Sequence, residues 1–323
     1  KKRIIVTGCC GFIGFSLSKK LLMNKNIEVI GIDTINDYYD VNLKKQRLKL
    51  LKNNKNFLFR KIDIGNFNLL KKVFVNGKIN IVYNFAAQAG VQYSIKNPKK
   101  YMISNCVGFF NILELSRLNG IRNIFYASSS SVYGDSKKFP VKENFELKPK
   151  NFYGFSKKAN EEMADIYSRY YDMKIIGLRF FTVFGPWGRP DLVISKLIES
   201  FYSKKVFYLN NFGKHTRDFT YIDDVINIIL NLSKNVKLVK KNDIFNICGS
   251  KPVSLLYLVK LFEQKVGKAK IKKRVFQKGD ILKSYGSNEK LKRVLNETKF
   301  INFDVGFLRT FNWYKKYNKI KNN

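Results

Sequence analysis

The sequence predicts an α/β fold in which a doubly wound parallel sheet is followed by a smaller C-terminal α/β domain. Two observations lead to this prediction. Short apolar runs alternate with longer amphipathic segments as far as Phe180, and beyond that point irregular loops such as "GPWGRP" and "NNFGKH" interrupt the pattern. Alternating strands and helices indicate a parallel sheet that is covered by helices on both faces.

The elements of the large sheet follow one another in chain order. The predicted strands are Arg3–Gly8, Glu28–Asp33, Phe57–Ile64, Asn80–Ala86, Asn123–Ser128 and Lys174–Phe180. Their apolar, β-branched composition is typical of strands that are buried on both faces. The predicted helices between them are Ile13–Met23, Leu43–Lys52, Phe67–Val75, Tyr101–Leu118 and Tyr153–Tyr171.

We expect the first domain to comprise residues 1–181 and about 218–249, because the chain returns to it once. The return is predicted through the segments "RDFTYIDDVINIILNL" and "IFNICG". The smaller domain then comprises residues 182–217 and 250–323 and is expected to bind the substrate. A chain of 323 residues is too long for one small core, and its length fits this division.

The net charge is +37, from 61 Lys and Arg against 24 Asp and Glu. The lysines are spread along the chain instead of forming one basic arm, and the basic–aromatic motifs of RNA-binding domains are absent. We therefore expect no nucleic-acid partner, but a positive surface that attracts small anionic substrates. No apolar run reaches the length of about 18 residues that a membrane span needs, so no membrane association is expected.

The four cysteines are too few and too scattered for a disulfide framework, and they lack the spacing of metal ligands. We therefore expect no metal site, and a reducing, cytoplasmic location. The single histidine, His215, lies in a predicted loop and is expected to be a solvated residue without a catalytic role.

A glycine-rich turn follows the first predicted strand. The segment "VTGCCGFIG" places Gly8, Gly11 and Gly14 between this strand and the first helix. Glycines at such a turn allow a close approach of a pyrophosphate to the backbone and to the helix N-terminus. Asp33 ends the second strand, nineteen residues after Gly14, where a carboxylate can bind a ribose hydroxyl. This pattern predicts a Rossmann-type dinucleotide site, and because no Arg follows Asp33, it favours NAD over NADP.

Hydroxyl side chains end another strand of the sheet. The segment "ASSSSVYG" follows an apolar run, and Tyr153 and Lys157 lie four residues apart on a predicted helix downstream. Side chains at this spacing project from one face of a helix. A cation beside a tyrosine is expected to lower the pKa of its phenol, which then acts as a general base near neutral pH. The serines at the carboxyl edge of the sheet would hold the reacting oxygen of a substrate.

Several long motifs occur in one order along the chain, and the sequence resembles an extended short-chain dehydrogenase/reductase. Within that group it is similar to the UDP-glucuronate 4-epimerases from Arg3 to about Leu295. The motifs that carry the resemblance are "GIDTINDYYDVNLKKQRL", "AAQAGVQYSIKNP", "YASSSSVYG", "YGFSKKANE", "LRFFTVFGPWGRPD" and "RDFTYIDDV".

The resemblance implies roles for individual residues. NAD would be bound by Gly8, Gly11, Phe12, Ile13, Gly14, Asp33, Asn36, Asp63, Ile64, Ala86, Ala87, Gln88, Asn105, Tyr153 and Lys157. The catalytic residues would be Ser129, Tyr153 and Lys157. A UDP-sugar would be bound by Ser128, Ser129, Ser130, Thr182, Arg189, Arg217 and Asp280.

The implied reaction is the inversion of C4 in a UDP-sugar, through transient hydride transfer to NAD and a 4-keto intermediate. UDP-glucuronate, converted to UDP-galacturonate, is the expected substrate. The family usually has Arg at the positions of Gln92 and Thr216 and Pro at that of Leu282, so UDP-N-acetylhexosamine and UDP-glucose stay open as alternatives.

Two other functions are also considered for this chain. Related dehydratases and decarboxylases carry an acid just before "VYG", where this chain has Ser130 and Ser131. This difference argues against a lyase. A non-catalytic NAD-binding protein would be expected to have lost Tyr153 or Lys157, and both are present. The resemblance also implies a homodimer that pairs the helices Tyr101–Leu118 and Tyr153–Tyr171 across a two-fold axis.

Overall fold

The computed structural model describes residues 1–75, 77–276, 281–296 and 299–321. Its strands are β1 (Lys2–Thr7), β2 (Ile27–Asp33), β3 (Phe57–Lys61), β4 (Ile79–Asn84), β5 (Asn123–Ser129), β6 (Lys174–Phe180), β7 (Thr182–Phe184), β8 (Phe207–Leu209), β9 (Thr216–Tyr221), β10 (Asn242–Ile247), β11 (Pro252–Ser254), β12 (Ile271–Lys273) and β13 (Lys283–Ser284). The six strands predicted for the large sheet are confirmed, with ends that differ by a few residues.

The helices are α1 (Phe12–Leu21), α2 (Val41–Lys52), α3 (Phe67–Val75), α4 (Val91–Lys96), α5 (Pro98–Tyr101), α6 (Gly108–Leu118), α7 (Phe152–Tyr170), α8 (Val193–Tyr202), α9 (Ile222–Lys234), α10 (Leu255–Lys265), α11 (Glu289–Leu295) and α12 (Phe303–Lys321). A π-helical segment, Met102–Val107, joins α5 to α6, so the predicted helix Tyr101–Leu118 is helical throughout but changes its pitch. Short 3₁₀ turns occupy Ser130–Tyr133, Asn210–Gly213 and Val236–Leu238.

Seven parallel strands form the large sheet, in the order β10-β6-β5-β4-β1-β2-β3. The chain order reverses between β1 and β4, because β2 and β3 lie on one side of β1 and the later strands on the other. Thr7 at the end of β1 lies beside Ile32 of β2 and Asn84 of β4. Open sheets of this kind bind ligands at the carboxyl ends of the strands, at such a switch point. The predicted Rossmann-type doubly wound sheet is therefore confirmed.

The sheet is buried on both faces. Ile4 and Val6 pack into one apolar cluster together with Phe15 of α1, whereas Ile5 packs into a second cluster with Phe109 of α6. Successive side chains of a strand point to opposite faces, so one short apolar run supplies both clusters. This two-sided burial holds the strand ends in place and thereby positions the groups that follow them.

The later part of the chain forms two small sheets. In one, β9 pairs with β7, β11 and β13, and in the other β8 pairs with β12. The predicted return to the large sheet is made by β10, which lies beside β6, while β9 at the start of the predicted return belongs to the small sheet. The division into two domains at the stated residues stays a prediction. Among the described residues, no helix is long and apolar enough to cross a membrane.

Candidate functional site

A cavity of about 870 Å³ opens at the carboxyl ends of the strands of the large sheet. Ligand pockets commonly measure about 300–1,000 Å³, so this cavity has room for a large ligand. It brings together Gly8, Gly11, Phe12, Ile13, Gly14, Asp33, Asn36, Asp63, Ile64, Ala86, Ala87, Gln88, Ser128, Ser129, Ser130, Tyr153, Lys157, Thr182, Arg189 and Arg217. Of the remaining predicted site residues, Asn105 lies behind the wall and Asp280 lies outside the described residues.

The glycine turn packs tightly against the next strand end. Gly8 has φ +70°, and a Cβ there would lie 2.7 Å from the amide nitrogen of Ala86. A Cβ on Gly14 would collide with the carbonyl oxygen of Gly8. Helix α1 begins at Phe12 without a side-chain cap, and its first residues line the cavity. Backbone amides at a helix N-terminus bind phosphate groups, so this turn fits the pyrophosphate of a dinucleotide.

Asp33 is held in place by the backbone. Its carboxylate accepts hydrogen bonds from the amides of Cys10 at 2.9 Å and Ile35 at 2.8 Å. Lys44 lies next to it, donating to the carbonyl oxygen and to Oδ1 of Asn36 at 2.6 Å each. Burial lowers the pKa of Lys44, and the charge of Asp33 opposes that shift. The carboxylate therefore faces the cavity with its orientation set, as binding of a ribose hydroxyl requires.

Asn105 supports the wall of the cavity from behind. Its Oδ1 accepts from the Gln88 amide at 2.7 Å, and its Nδ2 donates to the Gln88 carbonyl oxygen at 3.1 Å and to Ser156 Oγ at 2.9 Å. Asn105 belongs to the π-helical segment, which turns this residue toward the sheet. The Asn105 side chain therefore ties the strand end after β4 to helix α7, on which Tyr153 and Lys157 lie.

Lys157 is almost fully buried, with 2% of its surface exposed. Its Nζ donates to the carbonyl oxygen of Ala127 at 2.7 Å and lies 6.0 Å from the centre of the Tyr153 ring. Burial lowers its pKa to about 8, against the opposing charges of Cys106 and Glu161. Ser129 lies at the end of β5, where its Oγ accepts the Ser131 amide at 3.1 Å.

The expectation that a cation lowers the pKa of Tyr153 is wrong in this structure. Burial raises the pKa of Tyr153 above its ordinary value, because the phenolate loses hydration. Hydrogen bonding to Ser129 and the charge of Arg189 lower this pKa but do not outweigh burial. Lys157 points its ammonium group at Ala127 instead, so the predicted effect does not dominate.

The four serines of "ASSSSVYG" have different surroundings. Ser128 donates to Glu161 Oε1 at 2.5 Å, and Glu161 forms a two-pronged, buried ion pair with Arg179 at 2.7 and 2.9 Å. The Ser128 hydroxyl is therefore bound within the protein, in contrast to its predicted role toward a substrate. Ser130 begins the 3₁₀ turn and is partly exposed to the cavity.

The opposite wall of the cavity comes from the later part of the chain. Thr182 begins β7, and Arg189 lies in the loop between β7 and α8. Arg189 forms a two-pronged ion pair with Asp191, in which Nε lies 2.9 Å from Oδ1. Tyr38 adds a hydrogen bond to Asp191 at 3.3 Å. Burial would raise the pKa of Asp191, but Arg189 holds it below its ordinary value.

Arg217 completes the predicted contacts on this wall. Its Nη1 donates to the carbonyl oxygens of Thr216 at 3.0 Å and Leu282 at 3.1 Å. These bonds anchor one nitrogen of the guanidinium to the backbone of β9 and of the segment next to β13, while the residue lines the cavity.

Sequence reasoning missed several residues of the cavity, namely Tyr38, Lys44, Asp191 and His215. The expectation of a solvated His215 is wrong, since 1% of its surface is exposed and its ring stacks on Phe276 at a centroid distance of 5.8 Å. None of these residues belongs to a spacing motif. Tyr38, Lys44 and Asp191 do lie within segments that carried the resemblance, which was a usable signal, whereas the position of His215 depends on packing alone.

Comparison with known proteins agrees with this geometry. A family model described as "NAD dependent epimerase/dehydratase family" matches residues 4–248. The chain is 41% identical to "Protein CapI" of Staphylococcus aureus over 98% of this chain and 99% of that protein. It is 38% identical to the UDP-glucuronate 4-epimerase of Thermodesulfobacterium geofontis over 97% and 96%.

A solved structure with the same fold is UDP-glucuronic acid 4-epimerase from Bacillus cereus, in complex with UDP-glucuronic acid and NAD. It is 30% identical in sequence, with a TM-score of 0.91 over 98% of this chain and 99% of that chain. The resemblance to the extended short-chain dehydrogenases/reductases is thereby confirmed. The glycine turn and Asp33 fit NAD, and the chain belongs to the NAD dependent epimerase/dehydratase family.

Proposed function

We propose that this protein is an NAD-dependent 4-epimerase that interconverts UDP-glucuronate and UDP-galacturonate. One observation carries the proposal: a single cavity is lined on one wall by the glycine turn and Asp33, and on the other by Thr182, Arg189 and Arg217. Ser129, Tyr153 and Lys157 lie between the two walls. A sugar that is bound there has the catalytic groups on one side and anion-binding groups on the other.

The cofactor would be held by the amides of the glycine turn, by Asp33 and Asn36 at the adenosine end, and by Lys157 near the nicotinamide. When bound, NAD would supply first the acceptor and then the donor of the hydride at C4 of the sugar. The remaining steps concern protons, and the side chains of this protein carry them out.

Tyr153 takes the proton of the C4 hydroxyl in the proposed reaction and later returns it. Its raised pKa makes the phenolate scarce, so groups that favour the phenolate determine the rate. Ser129 and Arg189 both lower the pKa of Tyr153 and so favour the phenolate. The single O–H of Ser129 favours the phenolate before proton transfer, and it can donate to the C4 oxygen of the sugar once Tyr153 holds the proton. Lys157, held by Ala127, keeps a positive charge beneath the site while it is protonated.

The carboxylate of a uronic acid would be bound by hydroxyl groups. Thr182 and Ser130 line the cavity, and a hydrogen bond to a charged group contributes roughly 1.5–3 kcal/mol. Hydroxyls hold a carboxylate without a full countercharge, which leaves the keto sugar free to turn. Arg217 and Asp280 would hold the nucleotide during that turn.

The test is a panel of UDP-sugars incubated with the purified protein, with separation of the epimers and measurement of kcat/KM for each. We expect UDP-glucuronate to give the highest value. A neutral sugar that turns over faster would contradict the choice of substrate and leave the epimerase chemistry intact. Absence of turnover with every UDP-sugar, in protein that retains NAD, would contradict the proposed function as a whole.

A second candidate is the 4-epimerisation of a neutral sugar, UDP-glucose or a UDP-N-acetylhexosamine. The observation in its favour is that Asp191 already neutralises Arg189. In addition, Gln92 lines the cavity at a position where the family usually has Arg. The same panel separates the two candidates.

We also infer a homodimer. Apolar side chains are exposed along the two helices that are predicted to pair, namely Val107 and Phe110 before and within α6, and Phe155 and Ile166 on α7. Apolar patches of this kind mark interfaces. Light scattering at micromolar concentration is expected to give twice the 37.7 kDa of the chain. The monomer mass, unchanged on concentration, would contradict the inference.

A cytoplasmic location and a role in supplying sugars for polysaccharide synthesis complete the proposal. All four cysteines are free thiols, as a reducing compartment favours. UDP-galacturonate is an activated sugar, and activated sugars are consumed by glycosyl transfer.

A further inference from the structure

Arg47 is a buried cation without an acidic partner among the described residues. None of its surface is exposed, and its hydrogen bonds go to neutral oxygens. Nη1 donates to the carbonyl oxygen of Cys10 and to the Tyr39 hydroxyl, both at 2.8 Å. Nη2 donates to the carbonyl oxygens of Trp187 at 2.5 Å and Gly188 at 3.3 Å. Burying a charge is unfavourable unless every donor is satisfied, so this position needs an explanation.

Three of the four acceptors lie on the two segments that flank the cavity, and the fourth, Tyr39, lines it. Cys10 lies in the glycine turn, whereas Trp187 and Gly188 lie in the loop between β7 and α8, which we name the substrate loop (residues 185–191). A planar guanidinium presents donors from separate nitrogens in a fixed fork, so Nη1 and Nη2 bind the two segments at once, whereas the ammonium of Lys presents all of its donors from one nitrogen. Arg47 therefore sets the distance between the glycine turn and the substrate loop.

The substrate loop has an unusual backbone. Gly185 has φ +147° and Trp187 has φ +62°, a region that side-chain-bearing residues rarely adopt. A Cβ on Gly188 would lie 2.9 Å from the Gly185 carbonyl oxygen. Such a conformation persists only where the surroundings enforce it.

Aromatic rings that contact the Trp187 indole help to hold this backbone conformation. Phe15, on the helix that begins at the glycine turn, lies at a centroid distance of 5.4 Å. Trp313 and Tyr317, on the C-terminal helix α12, lie at 5.1 and 5.7 Å. We name these four rings the Trp187 stack. Arg47 binds the carbonyl oxygen of Trp187, and the stack holds its ring. Both the backbone and the side chain of Trp187 are therefore fixed.

Arg189 follows two residues later and lines the cavity. We propose that Arg47 and the Trp187 stack are positioning elements that hold the substrate loop so that Arg189 faces the substrate. Through Trp313 and Tyr317, the C-terminal helix thus contributes to substrate binding without touching the cavity. The proposal rests on the proposed function only for the role of Arg189.

The two tryptophans of the chain, Trp187 and Trp313, both lie in the stack. In a Trp313→Phe background, Trp187 is the sole tryptophan. Its fluorescence emission then reports on the conformation of the substrate loop in the absence of substrate. We expect the additional change Arg47→Lys to shift this emission to longer wavelength, because the indole becomes hydrated. The matched control is Arg122→Lys in the same background, since Arg122 is exposed and far from the stack.

Steady-state kinetics with the UDP-sugar that turns over best supplies the second readout. We expect Arg47→Lys to raise KM about tenfold, because a misplaced Arg189 weakens binding, and to lower kcat as well, because Arg189 favours the Tyr153 phenolate. Folded Arg47→Lys protein with unchanged emission, or with unchanged KM, would overturn the proposal. If Arg47→Lys does not fold, Trp313→Leu decides: a raised KM supports the proposal and an unchanged KM overturns it.

Failure of the proposed function gives a different result. If the parent protein epimerises no UDP-sugar, the emission shift and the affinity for UDP-glucuronate, measured by calorimetry, still test the substrate loop. A red-shifted emission together with weaker UDP-glucuronate binding in Arg47→Lys supports the positioning role. Unchanged affinity for UDP-glucuronate overturns it.

Discussion

The two walls of the cavity are built in different ways. On the cofactor side, the functional groups are held by backbone: Asp33 by the amides of Cys10 and Ile35, and the glycine turn by contact with the strand end at Ala86. On the substrate side, Arg217 is also bound to backbone carbonyls, but Arg189 is held by a side chain, because Asp191 pairs with it and in turn accepts from Tyr38. Backbone contacts leave little freedom, whereas ion pairs can exchange partners. A cofactor that stays bound suits the first wall, and a sugar that must turn suits the second.

The largest effect is expected at the boundary between the walls. Tyr153→Phe should lower kcat by about 10³-fold, since general-base catalysis contributes about 10²–10⁴-fold. The variant should fold and retain NAD, because the ring still packs edge-on against Tyr101 at 6.1 Å. Epimer formation measured by chromatography checks the rate. Tyr170→Phe on the same helix, 75% exposed, is the matched control. Turnover within a few-fold of the parent would remove Tyr153 from the mechanism.

The cofactor wall is tested by the nucleotide that it selects. Asp33 would repel a 2′-phosphate, so we expect denatured protein to release NAD in at least about tenfold excess over NADP. Identification of the released nucleotide by mass spectrometry checks this. Recovery of mostly NADP would mean that the attraction of Lys44, which lies beside Asp33, for the 2′-phosphate outweighs the repulsion by the Asp33 carboxylate.

The pH dependence tests the buried cation beneath Tyr153. Burial lowers the pKa of Lys157 to about 8, so this residue is protonated below that pH and loses its charge above it. The protonated fraction of Lys157 falls about tenfold between pH 7 and pH 9, whereas the phenolate fraction of Tyr153 grows about tenfold per pH unit below its raised pKa. We therefore expect kcat to rise up to about pH 8 and to level off above it. Thermal melting over the same range is the control for unfolding. A kcat that keeps rising about tenfold per pH unit up to pH 9 would show that the charge of Lys157 is not needed.

The smallest effect is expected on the substrate wall. Thr182→Val should lower kcat/KM for UDP-glucuronate about three- to tenfold more than for UDP-glucose, since only the uronate has a carboxylate to accept the hydroxyl. Thr182→Ser, which keeps the hydroxyl, should behave like the parent. Equal losses with both sugars would assign Thr182 to a contact that the two substrates share.

Local sequence patterns were sufficient to predict the glycine turn and Asp33 on the cofactor wall. The strand–turn–helix order, the spacing of Gly8, Gly11 and Gly14, and the position of Asp33 are all features of one continuous segment, and the structure agrees with them. The four-residue spacing of Tyr153 and Lys157 likewise places both on helix α7. Their electrostatics could not be predicted, because burial depends on what packs over a residue and not on its neighbours in sequence.

The substrate wall was harder to predict for the same reason. Thr182, Arg189 and Arg217 were found through the resemblance, but the Arg189–Asp191 pair, the buried His215 and the commitment of Ser128 to Glu161 were not. The Ser128–Glu161 bond and the packing of His215 join segments that are far apart in the chain, whereas Arg189 and Asp191 are two residues apart and meet only through the conformation of their loop. No periodicity or spacing records which side chains meet there.

The sequence by itself determined the α/β class, the order of the strands and helices along the chain, the dinucleotide turn and the Tyr–Lys helix. These features follow from apolar periodicity and local backbone geometry, which act over a few residues. Only the tertiary structure decided that burial raises the pKa of Tyr153, that Asp191 neutralises Arg189, and that Arg47 joins the two walls of the cavity. Those properties depend on desolvation, on the conformation of the substrate loop and on contacts between distant segments, which exist only once the chain has packed.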